Sequence, residues 1–137
     1  MRSSLAICTI VLATAALSAC QSMLPGKVYA VPAGRILQFE IEKSYGHGRM
    51  TALDTSTGEK FSGEYSGSYT GQDSVYGHVG DANVMLIKPP TGANAFGILV
   101  GDKGTTIRLY FAIKPGLTPT GHGTGTDQNG QGYEAYF

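Results

Sequence analysis

Two cysteines, Cys8 and Cys20, and three histidines, His47, His78 and His122, are the side chains of this 137-residue sequence best suited to covalent or metal chemistry. A reactive thiolate needs a base or cation beside it, and no histidine or lysine stands between Cys20 and Lys27. Three neutral imidazoles suit zinc or copper. Here they are far apart and irregularly spaced, each has a glycine neighbour, and no carboxylate sits at a ligand offset. They read as solvated turn residues or partners of backbone carbonyls, so neither a metal site nor a cofactor is expected. Glu40 and Glu42 recur at a strand's period and form a solvated face rather than an acid/base pair. Asp127-Gln128-Asn129-Gly130 opens like a calcium loop but has no glutamate at the matching offset, and is expected to be a hairpin turn. No G-x-S-x-G, G-x-x-x-x-G-K or G-x-G-x-x-G occurs. The chain is expected to be no enzyme.

The most regular stretch is FSGEYSGSYTG, residues 61–71. At strand period, Phe61, Gly63, Tyr65, Gly67, Tyr69 and Gly71 share one side, and Ser62, Glu64, Ser66, Ser68 and Thr70 the other. Phe61, Tyr65 and Tyr69 are therefore a candidate binding face on which a sugar or peptide could stack. The alternative is that the rings cover glycines on neighbouring strands of a coiled sheet, filling a small barrel. That packing role is favoured, partly because tryptophan, the best stacking residue, is absent.

These residues need a scaffold, and its strands show in the alternation of apolar positions. In RILQFEIEK, Leu37, Phe39 and Ile41 oppose Gln38, Glu40 and Glu42. In TTIRLYFAI, Ile107, Leu109, Phe111 and Ile113 oppose Arg108, Tyr110 and Ala112. Val84–Ile87 and Phe96–Val100 are apolar throughout and predict central strands covered on both faces. Turn residues separate such runs at Asp54–Gly58, Lys88–Gly92, Asp102–Gly104, Lys114–Gly116 and Asp127–Gly130. Twenty glycines, eight tyrosines and no helical periodicity after Cys20 predict an all-β fold. The expected architecture is a single small antiparallel sandwich or barrel of about 7–9 short strands.

The leader is different in kind. Arg2 precedes the uncharged run Leu5–Leu17, which matches a secretory signal peptide and is shorter than a membrane-spanning helix. Behind it, Leu17-Ser18-Ala19-Cys20 resembles the lipobox of bacterial lipoproteins. The resemblance implies cleavage between Ala19 and Cys20, diacylglycerol on the Cys20 thiol and acylation of the new amine. A Cys8–Cys20 disulfide would lose one partner with the leader. The expected organisation is a signal peptide at 1–19, a lipidated tether at 20–26 and a β-rich domain at 27–137. Several acyl chains on one residue make a stable anchor. Gln21 stands where an aspartate would resemble an inner-membrane retention signal, which implies the outer membrane, periplasmic face. Ten basic and ten acidic residues, with no basic cluster, argue against nucleic-acid binding.

A second resemblance rests on Asp102-Lys103-Gly104-Thr105 before Ile107–Phe111, on Gly121-His122-Gly123-Thr124-Gly125 through Tyr133, and on TGEKFSGEYSG. These are similar to a group of small glycine-rich proteobacterial lipoproteins whose role is uncharacterised. That group carries a disulfide whose two positions correspond here to Leu109 and Gly125. The expectation is a membrane-anchored envelope lipoprotein with a non-catalytic β domain that binds or supports another envelope component, an envelope protein among the candidates. The alternative is a small-ligand or glycan-binding module using the aromatic face.

Overall fold

The structure is a computed structural model that describes residues 22–137. Cys8, Ala19, Cys20 and Gln21, with the expected leader, cleavage point and lipidation site, lie outside the described residues.

The described residues form ten strands: β1 (Met23–Val31), β2 (Ile36–Glu42), β3 (His47–Asp54), β4 (Lys60–Thr70), β5 (Ser74–Val79), β6 (Ala82–Ile87), β7 (Gly92–Gly101), β8 (Thr106–Lys114), β9 (Thr120–Asp127) and β10 (Gly132–Tyr136). Eight close into an antiparallel barrel in the order β1-β10-β9-β8-β7-β4-β3-β2, while β5 and β6 pair only with each other. Every barrel strand therefore lies beside its chain neighbour, except where the β5–β6 hairpin is inserted between β4 and β7. Closure of β1 on β10, from Lys27 opposite Tyr136 to Val31 opposite Gly132, leaves the barrel no free sheet edge. Leu109 and Gly125 are direct partners across β8 and β9.

Period-two patterning puts one side of each strand inside. Leu37, Phe39 and Ile41 are buried between exposed Ile36, Gln38 and Glu40, and Ile107, Leu109 and Phe111 between Thr106, Arg108 and Tyr110. With Val28, Met50, Phe61, Leu99, Tyr133 and Ala135 they form one continuous core. Burial of this interior is the main stabilising term, since no disulfide lies among the described residues.

Three expectations change. Val84–Ile87 is not central: β6 belongs to the two-stranded hairpin, where Met85, Leu86 and Ile87 are each more than half exposed. An unbroken apolar run reads the same whether it is covered or bare, because periodicity cannot report what lies above it. Phe96–Val100 lies in the barrel wall, but only Gly97 and Leu99 point inward, with Phe96 and Ile98 on the outer surface against β8 and β4 neighbours. Met23–Gly26, expected in the tether, are the first residues of β1 and pair with Phe39–Glu42 of β2. Ladder pairing with a strong neighbour recruits this short stretch despite Pro25.

One end of the barrel is closed by hydrogen-bonded charge. The Asp54 carboxylate accepts from the backbone N–H groups of Ser56 and Thr57, from Ser56 Oγ and from Arg35 Nη1 at 2.9 Å. Buried Glu59 accepts from the N–H groups of Lys103 and Thr105 and from Thr105 Oγ1. Asp127 takes the N–H groups of Asn129 and Gln131 and the Tyr133 hydroxyl, which makes Asp127–Gly130 the expected hairpin turn. Burial and the Asp127 carboxylate push the Tyr133 phenol up to about 12 from 10. A phenol raised on folding contributes stability that is complete below pH 10 and is lost as pH rises through about 12. Tyr133→Phe, followed by urea denaturation, is expected to cost about 1.5–3 kcal/mol at neutral pH. It should also flatten the alkaline fall between pH 10 and 12.

Candidate functional site

The opposite end is open. Strands β1, β3, β7 and β9 begin there and β2, β4, β8 and β10 end there, so the β2–β3 and β8–β9 loops form its rim. The interior side chains stop short of this rim and leave a cavity of about 640 Å³, a size that accommodates small-molecule ligands.

The floor is apolar. Ile41, Tyr65 and Ala95 belong to the buried core and line the cavity, and Leu24, Ile113 and Phe137 pack against that core from above. Phe137 rests its ring against Phe39 and Phe111, with centroids 6.4 and 5.8 Å away. Room for that ring exists because residue 121 is glycine; a β-carbon there would collide with it. The Tyr65 hydroxyl donates to the Glu42 carbonyl at 2.7 Å and to that of Ser44 at 3.3 Å, tying the floor to the β2–β3 loop. A β-carbon on Gly48 would stand 2.7 Å from Tyr65 Cε1, so glycine across the ladder is what lets this ring lie flat. Burial, with the Glu42 carboxylate adding to it, pushes the Tyr65 phenol up, so at neutral pH it is an uncharged donor.

The rim is mixed. Tyr45 and Tyr69 stand 6.1 Å apart, and Gln72 lines the mouth beside them. Desolvation and the nearby Tyr45 raise the Tyr69 phenol. Lys43 Nζ donates to the Leu117 carbonyl at 2.6 Å, joining the two rim loops. The site can thus receive an apolar body below and present hydroxyl, amide and ammonium groups to a polar head above. Outside the wall, Glu42 holds Arg49 at 3.5 Å beside a polar recess of about 240 Å³ that His47 and Glu64 also line.

Phe61, Tyr65 and Tyr69 do share one side of β4, and it is the inner side, spread along the barrel axis. Phe61 is 4 % exposed near the closed end, in contact distance of Gly101; Tyr65 forms the floor; Tyr69, 40 % exposed, reaches the rim. They do not form a single open stacking face. The three histidines are on β3, β5 and β9, all exposed, with the His122 ring tilted against Tyr136, centroids 4.8 Å apart. Among the described residues no cluster of three or more His, Cys, Asp or Glu is arranged to hold a metal. Sequence reasoning missed Leu24, Ala95, Ile113 and Phe137 as cavity residues. The alternation Tyr133, Ala135, Phe137 was a usable signal for the last of these.

The fold and this end of it define a small up-and-down β-barrel, filled and sealed at one end and cupped at the other. No family model, curated protein or solved structure matches the chain.

Proposed function

We propose that this chain is an envelope lipoprotein, anchored through acyl chains on Cys20 to the periplasmic face of the outer membrane, whose barrel is a non-catalytic binding cup for a small amphipathic envelope component. The observation that carries the binding reading is the apolar cavity of about 640 Å³ above an intact core. A barrel without a ligand role can fill itself with side chains, as this one does at its other end. Its polar groups at the rim and apolar groups on the floor favour a molecule with an acyl or similar apolar tail over a free sugar, which needs polar partners along its whole length.

The test uses full-length protein in lipid nanodiscs with a diazirine-bearing lysophospholipid. Adducts are expected on the cavity peptides containing Tyr65, Ala95 and Ile113. Ala93→Phe, which puts a ring into the mouth from a half-buried position, is expected to lower adduct yield roughly tenfold, about 1.4 kcal/mol of binding free energy. Equal labelling of the variant, or adducts only on the outer wall, would remove the cup from the proposal. Mass spectrometry of the same sample addresses the anchor: an acylated cysteine at the mature N-terminus is expected, and an unmodified chain starting elsewhere would sink that part.

A further inference from the structure

The exposed apolar side chains are not spread evenly over the barrel. Eight large apolar or aromatic residues among those described are more than half exposed, and Tyr45, Tyr76, Met85, Leu86, Ile87 and Leu117 are all on the rim loops or on the hairpin that extends from the rim. The other two, Val100 and Tyr110, are on the wall. The charged groups at the two ends differ in setting: Arg35, Asp54, Glu59 and Asp127 are held in hydrogen bonds at the closed end, while Lys88 and Lys114 flank the apolar groups at the mouth. Strongly exposed apolar groups are therefore concentrated at the mouth end. Soluble monomers rarely leave a contiguous apolar surface of this kind uncovered.

The β5–β6 hairpin makes the point most sharply. Its strands, SVYGHV and ANVMLI, contain no Lys, Arg, Asp or Glu. Tyr76 is paired with Met85 and shares a face with Ile87, while Leu86 is on the other face, so apolar groups stand on both sides. The hairpin continues the β4–β7 ladder beyond the mouth through the Thr91 N–H to Thr70 carbonyl and Lys88 N–H to Asp73 carbonyl hydrogen bonds. Nothing among the described residues covers it.

The start of the described chain says what does. Ser22 is at the same rim, its carbonyl accepting from the Lys43 N–H at 2.8 Å. Cys20 is two residues earlier, within about 7 Å of chain, and the apolar run Leu5–Leu17 precedes it. Acylated at Cys20, or retaining that run, the chain meets a membrane at the mouth end. We infer that the mouth end of the barrel docks on the lipid bilayer, with the β5–β6 hairpin lying in the headgroup interface and the cup opening toward the lipid. This rests on the anchoring reading for its address but not for its surface chemistry.

The depth of insertion follows from backbone chemistry. Both outer edges of a two-stranded hairpin carry unpaired N–H and C=O groups, which the hydrocarbon core cannot satisfy. The headgroup region can, and tyrosine is favoured there because it is apolar along its ring and polar at its tip. Asp81 in the β5–β6 turn opposes entry tip-first, so the hairpin lies flat. Lys88 and Lys114 at the rim are placed to meet lipid phosphates.

The chain contains no tryptophan, so single-tryptophan reporters test the orientation. Full-length protein carrying Leu86→Trp, Leu117→Trp or, in the closed-end turn, Asn129→Trp is reconstituted into phosphatidylethanolamine–phosphatidylglycerol vesicles with and without brominated acyl chains. Bromolipid is expected to quench the reporters at 86 and 117 by about half or more and that at 129 by less than about a tenth, the contrast of interfacial burial against full exposure. Equal quenching at all three positions, or none at 86 and 117, overturns the docking. The mass of the N-terminal peptide in each sample separates the two readings. An acylated Cys20 with silent reporters sinks the docking alone; an unmodified Cys20 with quenched reporters sinks the anchor alone. If position 86 resists acrylamide in intact cells yet is untouched by bromolipid in vesicles, a protein partner covers the hairpin and the membrane assignment falls.

Discussion

Phe39→Ala is expected to lower the unfolding free energy by about 3–5 kcal/mol, the range for truncating a fully buried aromatic ring. Phe39 is 1 % exposed and belongs to the continuous core. Its ring is stacked on Phe111 with centroids 6.1 Å apart and also touches the ring of Phe137. A closed barrel resists collapse, because its strands are hydrogen-bonded all round and cannot move inward one at a time, so the void persists. Native domains of this kind hold about 5–15 kcal/mol in total, which makes the loss a large share. Urea denaturation at neutral pH measures it, with an unchanged slope against denaturant as the sign that only the native state was affected. A loss below about 1.5 kcal/mol would mean that the site relaxes and that the barrel is less rigid than its closure implies. Phe39 also supports the floor of the cup from beneath, so the same variant is expected to let the diazirine probe reach the Phe111 peptide.

Asp54→Ala is expected to cost about 2–3 kcal/mol, because it removes one charged acceptor from several donors at once. Burial works against ionisation of this carboxyl, but the hydrogen bonds from Ser56 and Thr57 and the charge of Arg35 outweigh it and hold its pKa below the ordinary 3.8. A carboxyl lowered on folding contributes stability that is complete above its unfolded pKa and is lost as pH falls through the folded one. Stability of the parent protein should thus decline as pH drops below about 3.8. Asp54→Asn keeps an acceptor for the Ser56 and Thr57 N–H groups and gives up the pair with Arg35. It should lose less than the alanine variant at pH 7 and show a shallower acid decline. An acid profile identical to the parent's would show that other carboxylates carry the effect. Arg35 is about one-third exposed and can be hydrated once its partner is gone, which is why the loss stays below that of a sealed ion pair.

The two ends of the barrel differ in what the amino-acid order reveals. Asp54–Gly58, Asp102–Gly104 and Asp127–Gly130 are turns in the sequence and in the structure, because Asp and Gly impose local hydrogen bonds and positive φ without help from distant residues; Gly58, Gly104 and Gly130 have φ of 72°, 96° and 80°. Strand identity was equally legible for Leu37–Ile41 and Ile107–Ile113, where alternation marks an inner side whatever the sheet's partners are. The all-β class followed from those two local properties.

Closure did not follow from them. A sandwich and a barrel use the same alternating strands, and only the pairing of β1 with β10, residues more than a hundred positions apart, decides between them. The same non-local step pulled Met23–Gly26 out of the tether and into β1, and left Val84–Ile87 bare outside the wall. The cup is likewise a tertiary product. Leu24, Ala95 and Ile113 come from three strands, Phe137 follows β10, and the four carry no shared motif; the space between them exists only because the interior chain of side groups ends before the rim. Of the aromatic ladder on β4, the even spacing of Phe61, Tyr65 and Tyr69 determined that its rings face one way. The barrel's curvature decided that this way is inward, with Phe61 spent on the core, Tyr65 on the floor, and Tyr69 at the mouth.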